Sequence, residues 1–395
     1  MNAIDKVLLA PYWAALKIRH AFYDKGLRKS IRAEVPTIAI GNVTVGGTGK
    51  TPHTELLLRL LTEQLGFRAA SLAVLSRGYK RKSRGFQQVT VDGSAKDFGD
   101  EPLQIKRKFP NVTVAVDKNR MHGAALLCHP EKIGVDRRSR KCRNREMEPA
   151  ELIVLDDALQ YRRLSPDVSI MLIDWNRPVF RDHLLPIGEL RDLPSRVRSA
   201  DIVIVTKSPS FIEDEEKERW RKALGMREEQ ELYFTETAYC RMEPVWPEGE
   251  PRYLYSKRLV LFSGIADDRP LLQWLSGDYK VLSHLKYPDH HSFTRSDIRD
   301  ICSAAQAYPT AVVATTEKDS QRIRDVKQVP ETLRSRLFRA PIEMVFVGEG
   351  EQERFVASLK ARRSVCLSES FASAGSSATS TSTRPVSKLT RERDL

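Results

Sequence analysis

The residues best suited to chemistry lie near the start of the chain. Lys50 and Thr51 close the run Gly41-Asn-Val-Thr-Val-Gly-Gly-Thr-Gly-Lys-Thr51. An apolar, β-prone stretch (Val35 to Ile40) precedes it, and Leu56, Leu57, Leu60, Leu61 and Leu65 follow at helical spacing. The order strand, glycine loop, helix suits phosphate binding. Glycines let backbone N–H groups close around phosphate oxygens, and the helix N-terminus adds positive potential. Lys50 can reach β- and γ-phosphates, and the Thr51 hydroxyl can bind Mg²⁺. The candidate nucleotide residues are therefore Thr44, Val45, Gly46, Gly47, Thr48, Gly49, Lys50 and Thr51. The strict pattern wants glycine where Thr44 stands, so a plain strand-to-helix turn with an incidental lysine is the competing reading.

Three further clusters can serve such a site. Asp156 and Asp157 end the apolar run Leu152 to Leu155. Carboxylates at a strand end opposite a phosphate loop suit Mg²⁺, although aspartate also caps helices. Gly99-Asp100-Glu101-Pro102 places two carboxylates at a helix start, where one can cap and one can accept a hydroxyl proton. Tyr287-Pro-Asp-His290-His-Ser-Phe293 offers an Asp-His pair, since aspartate can orient an imidazole. Arg77, Arg120 and Arg191 are among many arginines near strand ends, and together they suit a polyanionic substrate.

Short apolar runs alternate with helical stretches at 70–75, 112–116, 152–155, 170–173 and 202–205. That order predicts an α/β fold of phosphate-loop type, with a doubly wound, mostly parallel sheet over 34–225. In such sheets ligands bind at the carboxyl ends of the strands. Residues 210–250 read as a surface helix and then a proline-bearing connector, with the connector over 226–251. Further runs at 258–262, 280–283, 311–314 and 343–347 predict a second, smaller α/β domain over 252–362. Residues 363–395 are rich in Ser, Thr and Ala and are expected to be disordered.

The net charge of +13 points to an anionic partner. Five scattered cysteines include no C-x-x-C pair, which argues against a disulfide framework and for a reducing compartment. No apolar run reaches the roughly 18 residues of a membrane span. Residues 1–33 carry net +5, with an apolar stretch from Val7 to Leu16, and read as an amphipathic helix in a membrane interface. A signal peptide or a helix docked on the core are the alternatives. Asp136 to Arg145 holds six basic residues in ten, a solvated loop or a partner patch.

These motifs together resemble the tetraacyldisaccharide 4′-kinase family. The resemblance is carried by the glycine loop and by Ser76-Arg-Gly-Tyr79, Gly99-Asp-Glu-Pro102, Asp117-Lys-Asn-Arg120, Asp156-Asp-Ala-Leu-Gln160 and Leu185-Pro-Ile-Gly-Glu-Leu-Arg191. Phe262-Ser-Gly-Ile-Ala266, Pro288-Asp-His290 and Thr316-Glu-Lys-Asp319 continue it in order. It implies a peripheral lipid kinase on the cytoplasmic face of the inner membrane, with ATP and Mg²⁺ as cofactors. Such a kinase phosphorylates the 4′-hydroxyl of a tetraacylated glucosamine disaccharide 1-phosphate, in a cleft between two α/β domains. It further implies a proton-accepting pair at Asp100 and His290, with Lys50 on the phosphates. Arg77, Arg120, Gln160 and Arg191 are the implied substrate contacts, and Thr51, Asp156, Asp157 and Asp192 the implied metal neighbours. The expected partners are the lipid substrate and the membrane surface, with no nucleic acid and no obligate protein.

The chain departs from the family pattern at Tyr161, where histidine is usual, and at Asp192, where glutamate is usual. The basic insert over 136–148 and the tail have no clear counterpart. Two other readings compete. Another phosphate-loop NTPase is one, although Thr316-Glu-Lys-Asp319 is a poor guanine reader. A basic nucleic-acid-binding protein is the other, but only the charge favours it.

Overall fold

The structure is a computed structural model that describes residues 3–362, so the expected disordered tail lies outside the described residues. Nine strands form one sheet: β1 (Thr37–Asn42), β2 (Leu72–Ser76), β3 (Gln87–Gln88), β4 (Thr113–Val116), β5 (Leu152–Asp156), β6 (Val168–Asp174), β7 (Ile202–Thr206), β8 (Glu231–Tyr239) and β14 (Ile342–Phe346). Their order is β14-β8-β7-β6-β1-β5-β2-β4-β3, parallel except at the two edges, β14 and β3. The five others, β9 (Glu243–Pro244), β10 (Arg258–Ser263), β11 (Lys280–Lys286), β12 (Val312–Thr316) and β13 (Leu337–Ala340), form a second sheet ordered β11-β10-β12-β13-β9.

Central strands are buried on both faces, which explains their continuous apolar runs. Successive side chains enter opposite layers. Ile38 and Ile40 join the core beneath α2 (Lys50–Glu63) and α4 (Asp100–Lys108), with the four-residue α3 (Ala95–Phe98) beside them, whereas Ala39 joins the core beneath α5 (Arg120–Cys128). On that second face α1 (Ala3–Asp24) and α6 (Asp214–Ala223) cover β6 and β7 through Leu9, Leu16, Trp220 and Leu224. Helices α7 (Arg269–Asp278) and α8 (Arg295–Gln306) pack on the second sheet, and α9 (Glu317–Ile323) follows β12 directly.

The expected domain limits need correction at two places. Residues 231–239 are a strand of the large sheet rather than a connector, and residues 342–362 return to that sheet instead of staying with the small one. Aromatic packing gives the reason. Tyr233 on β8 meets Phe346 on β14 at 5.8 Å between ring centroids and Phe355, in the helix over 351–362, at 5.3 Å. Burying each such ring contributes about 2 kcal/mol. The chain therefore leaves the large sheet after β8 and rejoins it at β14, which gives the small sheet two covalent tethers.

Candidate active site

The carboxyl end of β1 opens into the glycine loop, which Asn42 organises. Asn42 Nδ2 donates to Thr48 Oγ1 at 2.7 Å and to Thr44 Oγ1 at 3.2 Å. Thr206 Oγ1, at the end of β7, donates to the Thr48 carbonyl at 3.1 Å. Gly46 and Gly49 have φ of +90° and +82°, values that side-chain-bearing residues adopt only under strain. Gly49 caps α2 without any side-chain hydrogen bond, which leaves the first N–H groups of that helix available to an anion.

Thr44 and Val45 differ from the expectation. The Val45 N–H donates to the Glu189 carbonyl at 2.8 Å, and Thr44 forms a β-bridge with Leu190. This half of the loop is a brace that holds the Arg191 segment. Thr44 forms an isolated bridge without a positive φ, so position 44 needs no glycine, which accounts for the missing one. Gly46 to Thr51 remain as the candidate phosphate cradle.

Two acidic residues stand beside the loop. Lys50 Nζ lies 4.0 Å from Asp157 Oδ1. Arg191 grips the same carboxylate through both terminal nitrogens and also reaches Asn42 Oδ1. Burial opposes the charge on Asp157, but the Arg191 hydrogen bonds and the Lys50 charge outweigh it and hold its carboxyl below the usual range. Asp157 sits at φ +49°, a strained conformation of the kind found at functional sites.

Asp156 behaves oppositely. It is buried, and desolvation together with the neighbouring charges of Glu101 and Asp157 pushes its carboxyl up. Ser76 donates to its Oδ2 at 3.0 Å, while its Oδ1 and the buried Thr51 Oγ1 have no hydrogen-bond partner among the described residues. Two orphaned oxygens beside a phosphate cradle fit an oxygen-loving cation such as Mg²⁺.

Arg120 is buried at the start of α5 and donates to the carbonyls of Asp156 and Asp157 at 3.2 and 3.3 Å. Gln160 donates to the Asn42 carbonyl. Tyr161, in place of the usual histidine, donates to Asn119 Oδ1 at 2.9 Å, so its hydroxyl supports the turn before Arg120. Arg77 is exposed at the end of β2.

Asp192 is a correction. Its carboxylate accepts from His20 Nε2 of α1 at 2.6 Å and from the Leu193 N–H at 2.8 Å. Arg162 donates to His20 Nδ1 at 3.2 Å, so the imidazole is the Nε2–H tautomer. Being one methylene shorter than glutamate, this side chain anchors α1 instead of joining the metal neighbours.

Helix α4 begins at Asp100 and faces α9. His290 Nδ1 lies 3.6 Å from Asp100 Oδ2, and Arg322 Nη2 sits between them, 2.7 Å from Asp100 Oδ2 and 3.1 Å from His290 Nδ1. The other Arg322 nitrogen donates to Asp319 Oδ1 at 2.9 Å and to the Gly264 carbonyl at 3.0 Å. Lys318 pairs with Glu101 at 3.2 Å. Burial disfavours ionised Asp100, but His290, Arg322 and Lys318 together hold its carboxyl well below the usual range. His290 has φ +60° and meets the Tyr79 ring at 6.4 Å.

A model of the tetraacyldisaccharide-1-P 4′-kinase family matches residues 3–363. The chain belongs to that family. Its relatives include the tetraacyldisaccharide 4′-kinase of Phocaeicola vulgatus, 37% identical over 88% of this chain and 91% of that one. The enzyme of the same name from Flavobacterium johnsoniae is 35% identical over 91% and 97%. The crystal structure of LpxK from Aquifex aeolicus in complex with ATP superposes with a TM-score of 0.64, covering 89% of this chain and 98% of that one at 24% identity, and supports the fold.

Within this kinase fold, sequence reasoning missed Arg322, Asn42 and His20. Arg322 follows the Thr316-Glu-Lys-Asp319 motif by three residues, the spacing that puts it beside Asp319 on one helix face. That spacing was the available signal. Asn42 stands inside the glycine run, and its bonds to Thr44 and Thr48 are local, whereas nothing local marks His20, whose partners Asp192 and Arg162 lie across long stretches of chain.

Proposed function

We infer that this chain transfers the γ-phosphoryl group of ATP to the 4′-hydroxyl of a tetraacyldisaccharide 1-phosphate, a step of lipid A biosynthesis. The observation that carries the reading is a pair of clusters close enough to interact: the loop with Lys50, Thr51, Asp156, Asp157 and Arg191, and Asp100 and His290 bridged by Arg322, joined by Glu101, whose charge is felt at Asp156.

Phosphoryl transfer asks a protein for positioning and charge neutralisation more than for covalent chemistry. The cradle N–H groups and Lys50 would bind the β- and γ-phosphates. Arg191, held by Asp157 and Asn42, keeps one cation fixed near the transferring group, and the buried Arg120 adds another. Thr51 and Asp156 would hold Mg²⁺, which when bound would neutralise phosphate charge. Arg77 and Gln160 are proposed to meet the acceptor.

The acceptor hydroxyl must lose its proton. Asp100 stays ionised across the working pH range because its carboxyl is held so low, which makes it a poor final resting place for that proton. His290 Nδ1 accepts from Arg322 and therefore carries a lone pair. A proton arriving there takes the place of the Arg322 hydrogen bond and lies 3.6 Å from the Asp100 Oδ2 carboxylate. His290 is proposed as proton acceptor, Asp100 as its counter-ion.

Access to a lipid needs a membrane contact. No helix of the described residues is long and apolar enough to cross a membrane. Helix α1 exposes Trp13, Ile18 and Phe22, and Leu27 and Ile31 extend the strip, with Lys17 over the Trp13 ring at 4.0 Å. That pattern suits a helix lying in the interface, with the protein peripheral on the cytoplasmic face of the inner membrane. The test is phosphoryl transfer in mixed micelles with wild type, Lys50→Ala, Asp100→Ala and His290→Ala. Lipid product from wild type and losses above 100-fold in all three variants are expected. Wild-type ATP turnover without lipid product would overturn the reading.

A further inference from the structure

The basic insert plays no part in the catalytic account, yet its placement is specific. Arg137, Arg138, Arg140, Lys141, Arg143 and Arg145 are all exposed, and none forms an ion pair among the described residues. Arginines elsewhere do find carboxylates, as Arg59 does with Glu343 and Arg339 with Glu243. Like charges gathered without counter-charges repel one another and leave a field of one sign at the surface.

The backbone beneath is pinned. Ser139 and Cys142 are buried, the Phe86 N–H donates to the Arg138 carbonyl at 3.2 Å, and Gln88 Nε2 donates to the Glu146 carbonyl at 3.0 Å. His122, in the first turn of α5, bridges Asp117 at 2.6 Å and Asp136 at 3.0 Å. Asp117 follows the last residue of β4, so the insert lies at the carboxyl edge of the sheet, where the cradle also opens.

A second basic segment continues the field. Arg77, Lys80, Lys82 and Arg84 are exposed and likewise unpaired among the described residues. This segment packs on the insert so closely that a Cβ at Gly85 would lie 2.0 Å from the Arg138 carbonyl oxygen. It also carries Tyr79, beside His290 at the cleft. A cationic strip thus runs from the cleft mouth to the sheet edge, with Tyr79 and Val135 exposed on it at 61% and 76%. Helix α1 flanks the same cleft on its other side, through the Tyr12 hydroxyl donating to the Arg191 carbonyl at 2.9 Å and the His20–Asp192 contact.

We propose that this strip, residues 77–84 with 137–145, is a second docking surface for an anionic lipid bilayer, and that with α1 it seats the cleft mouth on the membrane. The proposal rests on the lipid-kinase reading above. Lipid phosphates match the strip in charge, and the two exposed apolar side chains suit the headgroup boundary. A lipid acceptor whose chains stay in the bilayer requires the surface around the cleft to face that bilayer. The strip has a single aromatic side chain, so it offers no ladder for stacking bases.

The test is co-sedimentation of the full chain with vesicles of phosphatidylcholine alone or with 30% phosphatidylglycerol. Wild type is compared with a variant carrying Arg137→Gln, Arg138→Gln, Arg140→Gln, Lys141→Gln and Arg143→Gln. A basic residue near an anionic surface raises affinity by up to about fivefold. Removing five charges is therefore expected to weaken binding to anionic vesicles at least tenfold, flatten its salt dependence, and leave activity in neutral detergent micelles unchanged. A matched set with the four arginines changed to lysine keeps the charge and is expected to bind like wild type. If the glutamine set loses micelle activity as well, the lysine set decides, and weak vesicle binding by the lysine set overturns the proposal. Unchanged anionic-vesicle binding by the glutamine set overturns it while the kinase reading stands. The same holds if that set loses only RNA retention. Failure of wild type to bind any vesicle overturns both this surface and the membrane reading, although lipid phosphorylation in micelles would still stand.

Discussion

Arg322 should be the residue whose loss uncouples the small-sheet domain from Asp100. It belongs to the small-sheet domain and reaches Asp100 in the large one at 2.7 Å, while also touching His290 at 3.1 Å. Arg322→Met keeps most of the volume and removes the charge. Two carboxylates then lose a buried partner. Asp319 keeps its bonds from the Gly264 N–H at 2.8 Å and the Thr316 hydroxyl at 2.8 Å, so its loss is partial. Asp100 loses its shortest contact. Breaking a buried pair on one side costs about 3–5 kcal/mol, and these surviving bonds put the expected destabilisation near 3 kcal/mol. For catalysis, a misplaced proton-accepting pair costs about 100-fold in kcat, or about 2.7 kcal/mol. The pH dependence carries the sharper signature. Asp100 is depressed in the folded protein, so it contributes stability above the ordinary carboxylate range that is lost as pH falls toward its folded value. In Arg322→Met the Asp100 pKa rises, the acid limb of kcat against pH moves to higher pH, and that acid-labile stability shrinks. Arg322→Lys should recover part of each effect. The assays are kcat–pH profiles in micelles and denaturant unfolding at pH 4 and 7. A Met variant with the wild-type kcat and acid limb would refute the reasoning.

Three more outcomes follow from the same geometry. Asp156 is pushed up chiefly by burial, so ionising it costs the ligand-free fold stability as pH rises; Asp156→Asn should raise the ligand-free Tm at pH 8 by several degrees and abolish transfer, as differential scanning calorimetry and the micelle assay would show. Asp192→Ala should leave the apparent Mg²⁺ requirement unchanged but destabilise α1 docking by about 1–3 kcal/mol, seen as faster proteolysis near residues 3–24. His53 is fully buried between the Gly49 carbonyl at 2.7 Å and the Thr235 hydroxyl at 2.9 Å, and burial lowers its pKa to about 4. The unfolded chain binds a proton there that the folded one refuses, so stability is lost as pH falls from about 6.5 to about 4, and His53→Gln should flatten the unfolding free energy across that window.

Much of the site was legible because its residues sit at strand ends that the sequence marks. Within β1, β5 and β6 the runs Ile38 to Gly41, Leu152 to Leu155 and Ile170 to Ile173 are buried and carry no polar interruption until Asn42, Asp156 and Asp174, where the chain leaves the sheet. Glycines at positive φ announced the cradle, since no other residue takes that conformation cheaply. What was not legible depended on contacts across the chain. Strand β8 was hidden because Thr235, Glu236 and Thr237 interrupt its apolar pattern, and only pairing with β14 and β7 shows why it is a strand. Asp192 was a metal neighbour only by the resemblance of its motif, but its direction is set by His20, more than 170 residues earlier. Arg322 was invisible as a bridge because it links residues on two different domains, which no local spacing encodes.

The central claim is that one cleft delivers a phosphoryl group to a lipid hydroxyl. The most direct test is ³¹P NMR of a reaction containing the chain, ATP, Mg²⁺ and tetraacyldisaccharide 1-phosphate in mixed micelles. The expected result is loss of the γ-phosphate signal, equal growth of a second phosphomonoester on the lipid coupled to the 4′ proton, and no such growth with His290→Ala. Inorganic phosphate in place of the lipid bisphosphate, or a product phosphorylated at another hydroxyl, would contradict it.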